Sequence, residues 1–318
     1  MVMQNNKNQW LVSDEFNNHR IDYWLKKQLS FISYPILCKL LRKGVVRVNG
    51  RRAKNSLLLK TGDSIKFSRN IKNTSSETIK EKYNQKFSIF INKLIIHKDE
   101  FSISINKPSG LAVQGGTRIK LNIDLMLDSL KFNLVERPKL VHRIDKETSG
   151  VLLIARTLKS SRYYGDLFKR RLIEKVYITI TKGCPKYKKG KITLPVGNEK
   201  KLESITYYNV IDSSKDLSLL IVKPITGRKH QIREHLSYIG NNIYGDDKYK
   251  KINENLETKY LHLHAYSLKF LEQNGKVKQI DAELPDYFKT TIETNGLKRD
   301  FLKENLYFGD LESYQLID

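Results

Sequence analysis

Cysteine is almost missing from this chain of 318 residues: Cys38 and Cys184 are isolated and far apart. That excludes a disulfide framework and a thiolate metal site, and it fits a reducing compartment. No apolar run approaches the roughly 18 residues of a membrane-spanning helix. The opening MVMQNNKNQW lacks the continuous apolar core of a secretory signal, so a soluble, cytoplasmic protein with no membrane partner is expected. Phosphate-loop, dinucleotide-binding and repeat patterns are missing too, which argues against a nucleotide-driven enzyme or a solenoid. Acidic residues are scarce: 34 Asp plus Glu stand against 58 Lys plus Arg, a formal net charge of +24. Charge alone points to a polyanion, whether RNA, DNA or an acidic membrane. Lys, Asn and Ile abound throughout, so the placement of cations says more than their total.

What is present begins with Leu140 to Ala155, LVHRIDKETSGVLLIA, a polar insert between two apolar runs. Leu140, Val141 and Ile144 read as an extended approach, Thr148-Ser149-Gly150 as a turn, and Val151 to Ile154 as a short buried strand. This strand, loop, strand pattern would fix Asp145 at the mouth of the loop, where a carboxylate can meet a substrate at a defined angle. A lone loop Asp more often caps its own turn. An aspartic protease would place Thr or Ser and Gly directly after its Asp, whereas Lys146 and Glu147 intervene here.

His142-Arg143-Ile144-Asp145, two further residues, then Thr148-Ser149-Gly150 resemble the signature of the RluA-type pseudouridine synthases, from which only Ile144 in place of Leu departs. The swap keeps size and character.

Further motifs flank this one. Near the N-terminus, Ile21, Trp24, Leu25 and Gln28 follow helical spacing, and a second helix using Ile36, Leu37, Leu40 and Leu41 begins after Pro35 and stops at Gly44. Val46 and Val48 alternate with Arg47 before Asn49-Gly50, a hairpin signal, and Thr61-Gly62-Asp63 turns the chain into a last strand, Ser64 to Phe67. Lys39, Arg42 and Lys43 on the helix, with Arg47, Arg51 and Arg52 around the hairpin, form a basic cluster. Arg20 to Phe67 resembles the S4 RNA-binding domain; a small basic structural domain is the plainer reading. The expected division is an S4-like domain over 14–69, a polar flexible linker over 70–86, a catalytic domain over 87–296, and an extension over 297–318 with no assigned role.

In the second domain, Phe101, Ile103 and Ile105 alternate with serines up to Asn106-Lys107-Pro108-Ser109-Gly110, similar to the family's Lys-Pro-x-Gly strand end. Lys175 to Thr181 has period-two alternation, with Val176, Ile178 and Ile180 on one side and Tyr177, Thr179 and Thr181 on the other, more polar side. Lys175-Val176-Tyr177 resembles the family's Lys-x-Tyr. Thr226-Gly227-Arg228-Lys229-His230-Gln231-Ile232-Arg233 opens a helix whose buried stripe, Ile232, Leu236 and Ile239, has Arg233 at its edge. An Arg there can reach an interior carboxylate, although a solvated or locally paired Arg is the commoner outcome. Gly245-Asp246, Tyr249, Leu261 to Ala265 and Leu284-Pro285 continue the match. His230 and His235 lie five apart on a helix and point about 140 degrees apart, which disfavours a shared metal.

The resemblance implies an α+β protein: an N-terminal S4-like domain plus a pseudouridine synthase domain with a curved, mainly antiparallel mixed sheet. It implies isomerisation of specific uridines in 23S (large-subunit) ribosomal RNA, free or within an assembly precursor, by a monomer with no cofactor and no metal. Asp145 would be the catalytic nucleophile, ionised either to attack the ribose anomeric carbon or to remove a sugar proton, Tyr177 would stack on the base and assist proton removal, and Arg233 would pair with Asp145. Arg143 would fill the gap left by the flipped nucleotide, with His142, Arg228, Lys39, Arg42, Lys43, Arg47, Arg51 and Arg52 as further RNA contacts. Gly110 to Gly116 looks most like the RluC type, in which the Gln114 position is commonly His; the RluD type, with other ribosomal targets, is the near alternative. A non-catalytic S4-domain RNA-binding protein would explain the charge without needing Asp145, Tyr177 and Arg233.

Overall fold

A computed structural model describes residues 9–68 (apart from 30, 31 and 33), 77–115, 121–197, 201–250, 258–298, 308 and 310–317. The chain divides into two compact units, the first made chiefly of Met1–Tyr83 and the second of the chain from Asn84 onward.

In the first unit, α1 (Ile21–Gln28) and α2 (Tyr34–Arg42) pack with a four-stranded sheet ordered β1 (Gln9–Leu11), β4 (Ser64–Phe67), β2 (Val46–Val48), β3 (Arg51–Arg52). Trp24, Leu25, Leu37, Leu41, Val46 and Ile65 close the core, each at most 1% exposed. The hairpin forms as its residues dictate: Asn49 and Gly50 take φ of 48° and 77°, the left-handed pair that a two-residue turn needs. Asn49 also accepts the Ser64 amide at 2.8 Å and donates to Asp63 at 2.8 Å, which ties the turn to β4. Val46 and Val48 face inward, so Arg47 faces out. Lys39, Arg42, Lys43, Arg51 and Arg52 are likewise exposed, and residues 39, 42 and 43 share one helical face.

Residues 70–76 of the expected linker lie outside the described residues, but from Glu77 the chain is helical: α3 runs Glu77–Lys93. The polar composition misled because Glu, Lys and Gln are good helix formers, so a shortage of apolar groups does not distinguish coil from a solvated helix.

The second unit is built on a mixed sheet of eleven strands among the described residues. Its main path is β15 (Gln315–Ile317), β10 (Lys189–Ile192), β11 (Thr206–Ser213), β12 (Leu217–Pro224), β9 (Glu174–Lys182), β13 (Leu263–Leu271), β8 (Ser149–Ala155), β6 (Ser102–Lys107) and β5 (Ile95–Lys98). Off this path, β14 (Val277–Asp281) pairs with β13 and β7 (Lys139–Leu140) with β8. Only β13–β8 and β15–β10 are parallel among these pairings. The extension after Leu297 thus has a structural part: β15 covers the edge of β10, while Phe308 and Tyr314, 4% and 6% exposed, join Tyr207 and Phe288 in one core cluster.

Two expectations need correction. The approach to Asp145 is a strand only over Lys139–Leu140. The ladder stops because the Leu153 amide donates at 2.8 Å to the His142 Nε2 instead of to a carbonyl. The side of β9 that carries Tyr177 is not a polar surface either: Thr179 and Thr181 are fully buried, and Thr179 donates to the His262 carbonyl at 2.7 Å. Following α4 (Ile123–Met126) and α5 (Leu158–Lys169), helix α6 (Gln231–Tyr238) places Ile232 and Leu236 in the cluster beside Tyr177, so only the end of β9 at Tyr177 is left beside an open pocket.

Candidate active site

The pocket, about 440 Å³, lies where the ends of β9 and β12, the loop before β8 and the start of α6 meet. Each wall follows from local sequence. Gly150 takes φ of +112°, and a Cβ there would come within 2.1 Å of the Ala265 carbonyl oxygen, so the close parallel approach of β8 and β13 needs glycine. Ser149 donates to His264 Nδ1 at 2.8 Å, and the other ring nitrogen donates to the Ala282 carbonyl at 3.1 Å. On the opposite side of the loop, buried Lys107 donates to the carbonyls of Pro108, Leu111 and Lys146 at 2.9, 2.8 and 3.1 Å. Three acceptors match the three hydrogens of an ammonium; burial pulls its pKa down to about 7, while Glu147 and Asp145 pull it up. Lys146 directly follows Asp145 in the chain, so gripping its carbonyl fixes the backbone that carries the carboxylate.

Asp145 is half-buried and accepts no hydrogen bond among the described residues. Burial pushes its carboxyl above the usual range, and Glu147 adds to this, against the opposing pull of Arg233, Arg143 and Lys229. His230 Nε2 stands 3.8 Å from its Oδ1. Among the described residues Asp145 is the one carboxylate lining the pocket, which also has Arg143, Lys169, Arg171, Lys175, Arg228 and Arg233 in its wall. Such a site favours a polyanion while keeping one buried negative group.

Tyr177 lines the same pocket. Burial, and secondarily the charge of Asp145, push its phenol well above the ordinary tyrosine value. The ring is therefore available for stacking with its hydroxyl protonated. Lys175, drawn down to about 8 by burial and by Arg171, donates to the Thr226 carbonyl at 3.3 Å.

Arg233 meets a different partner from the one expected. Its Nε and Nη2 donate to Asp246 at 2.7 and 2.6 Å, a planar fork in which both side chains are at most 5% exposed. Asp246 also accepts the Lys248 and Tyr249 amides at 2.9 and 3.1 Å. Asp145 feels Arg233 through space, not through a hydrogen bond. The Gly245-Asp246 motif was visible in the sequence, but the return of this loop to the first turn of α6 was not. Gln231 fixes the preceding turn, accepting from Thr226 at 2.6 Å and from the Arg228 amide at 3.0 Å.

His142 also differs from expectation as an RNA contact. It stacks on Phe168 at 4.3 Å and accepts the Leu153 amide, and burial lowers its pKa to about 3. It is a neutral structural ring in the pocket wall. Arg143 is exposed at the rim and Arg228 half-exposed, with its Nε on the Glu203 carbonyl at 3.2 Å. Lys39, Arg42, Lys43, Arg47, Arg51 and Arg52 belong to the first unit. Lys107, Asp246, His230, Lys169 and Arg171 were not foreseen as site residues. His230 and His235 have separate engagements, as do His262 and His264: His230 at Asp145, His235 on the Leu194 carbonyl, His262 on Thr291, and His264 on Ser149.

An aspartate presented by a loop before a central strand, in one pocket with a tyrosine two strands along the sheet and a cationic wall, agrees with what comparison with known proteins finds. Residues 102–238 match the family model described as RNA pseudouridylate synthase, and the chain belongs to the RluA-type family of RNA pseudouridine synthases. A relative from Rickettsia prowazekii, called ribosomal large subunit pseudouridine synthase C, is 36% identical over 295 residues, covering 86% of this chain and 96% of its own. The protein of that name from Buchnera aphidicola is 31% identical over 308 residues, covering 89% and 95%. Among solved structures, human RNA pseudouridylate synthase domain containing 4 superposes with a TM-score of 0.61 at 27% identity, covering 69% of this chain and 99% of its own. Among the described residues no helix is long and apolar enough to cross a membrane.

Proposed function

We propose that this synthase isomerises specific uridines of 23S (large-subunit) ribosomal RNA in the cytoplasm, with Asp145 as its nucleophile. The reading rests on Asp145 being the one carboxylate of a cation-walled pocket among the described residues, within a His-Arg-Ile-Asp loop whose relatives carry the large-subunit name. A uridine must leave its stack to enter such a pocket. Arg143, at the rim, fills the vacated space, and Tyr177 stacks on the uracil. Asp145 attacks the ribose anomeric carbon and bonds to it as the bond from that carbon to the uracil nitrogen breaks, the uracil leaving as its anion. The uracil turns and its fifth carbon displaces Asp145 from the sugar; the proton on that carbon then passes to solvent, and the ring nitrogen, no longer bonded to sugar, takes one up. Arg233 acts on Asp145 through space and is itself aimed by Asp246. The S4-like unit, 14–69, contributes affinity through the exposed Lys39, Arg42, Lys43, Arg47, Arg51 and Arg52 and takes no part in the chemistry. The protein works as a monomer, on free RNA or on an assembling subunit.

Mapping pseudouridines in 23S RNA from cells with the gene, without it, and with Asp145→Asn in its place tests this directly. Sites lost in the deletion should stay lost with Asp145→Asn. Their return with that variant ends the assignment of the nucleophile, and an unchanged 23S map in the deletion ends the assignment of the substrate.

A further inference from the structure

We propose that His230 is a positioning residue for Asp145: its Nε2–H holds one carboxylate oxygen and leaves the other free for the ribose. The inference rests on the reading of Asp145 as nucleophile and adds the group that aims it. His230 starts α6 with φ of 58°, a left-handed conformation that a non-glycine residue keeps only where its surroundings over-determine it. Here they do. Its Nδ1 lies 3.2 Å from the Tyr249 hydroxyl and 3.0 Å from the Lys248 ammonium. An ammonium has only hydrogens to give, so Nδ1 accepts. In a neutral ring the proton then sits on Nε2, the atom 3.8 Å from Asp145 Oδ1.

The ring is neutral because burial, followed by Arg233, Lys248 and Lys229, drives its pKa down to about 4, against the weaker opposite pull of Asp246. Asp145 in turn faces Arg233, Arg143 and Lys229, which favour its charge, and Glu147, which opposes it; Lys107 and Tyr177 also sense it. None of these groups donates a hydrogen bond to the carboxylate among the described residues. A separation of 3.8 Å is longer than a hydrogen bond, and contacts of this kind tighten when substrate closes the site. With one oxygen held, the orientation of the attacking one no longer depends on free rotation of the side chain.

The test uses the full chain and single-turnover conversion of a uridine-containing 23S RNA fragment across pH. The rate falls at low pH as Asp145 takes up a proton. Losing a donor to its ionised form raises the carboxyl pKa, so the acid limb should move to higher pH. His230→Asn tolerates the left-handed backbone but is too short to put an N–H at the Nε2 position. We expect its acid limb to rise by about one pH unit, with RNA affinity unchanged. His230→Gln, whose amide reaches that position, should restore most of the shift. An unmoved limb in His230→Asn, or no recovery in His230→Gln, overturns the inference. The imidazole nitrogen shifts of the unaltered protein, with the His230 signals assigned by their change in Asp145→Asn, provide a check that requires no His230 variant. An Nδ1-protonated ring overturns the proposal and an Nε2-protonated one supports it. Full activity of Asp145→Asn would instead remove the nucleophile assignment itself, whereas an inactive Asp145→Asn with an unmoved His230→Asn profile removes only the role of His230.

Discussion

Asp246→Asn should reveal how much of the site is held by a residue that never touches the substrate. The Asp246 carboxylate receives the Arg233 fork at 2.7 and 2.6 Å and two backbone amides besides, with its side chain fully buried. An asparagine fits the same space, but its amide nitrogen turns a donor toward one guanidinium or backbone donor and the negative charge is gone. The result is a buried arginine charge without its partner, which costs about 3–5 kcal/mol. For a unit of this size each kcal/mol lowers the melting temperature by roughly 2–4 °C, so the transition should fall by about 6–20 °C. The chain's two tryptophans, Trp10 and Trp24, both lie in the first unit. Tryptophan emission therefore monitors that unit, while far-UV circular dichroism is dominated by the larger second unit. The expected result is a lowered dichroism transition at neutral pH, together with a slower single-turnover rate at a temperature where the variant is folded. A dichroism midpoint within about 2 °C of the unaltered protein would refute the argument, because the fork would then be contributing no more than an exposed ion pair does.

Three other outcomes follow from the same structure. Gly150→Ala should fold poorly or not at all, since its Cβ would meet the Ala265 carbonyl at 2.1 Å in a left-handed backbone; soluble yield and proton spectra check this, and a well-folded variant would contradict it. Burial holds the Asp145 carboxyl above its unfolded value, so the folded protein resists its ionisation. Asp145→Asn should accordingly melt higher than the unaltered protein at neutral pH, and the gain should vanish as pH falls below the unfolded carboxyl value of about 4; a lower midpoint at neutral pH would show that the surrounding cations outweigh burial. Replacing Arg42, Lys43, Arg47 and Arg51 with Gln should weaken RNA binding and flatten its salt dependence by roughly 0.7–0.9 for each phosphate no longer neutralised, leaving the rate on saturated RNA unchanged; an unaltered slope would take the first unit out of RNA binding.

The amino-acid sequence by itself determined the local pieces. Alternating apolar residues set β2, β6 and β9, Asn49-Gly50 set the hairpin, and Gly240, at φ of +81°, ended α6 after its buried stripe. The motifs around Asp145, Tyr177 and Arg233 were legible for the same reason: each is a short run whose residue types and spacing are set by interactions within a few positions. Tertiary structure decided which distant groups meet. Arg233 is paired with Asp246, 13 residues away, and the His142 ring replaces a strand partner across a turn. Thr179 and Thr181 are buried because α6 and its following loop cover that side of β9, and α3 extends through a stretch whose composition suits both coil and helix. His230 gains its orientation from Tyr249 and Lys248, brought back by the loop after α6. Periodicity encodes which face of an element is apolar; it does not encode which charged groups a loop carries to that face, and the energy of a buried fork or a pinned imidazole depends on angstroms set by the whole fold.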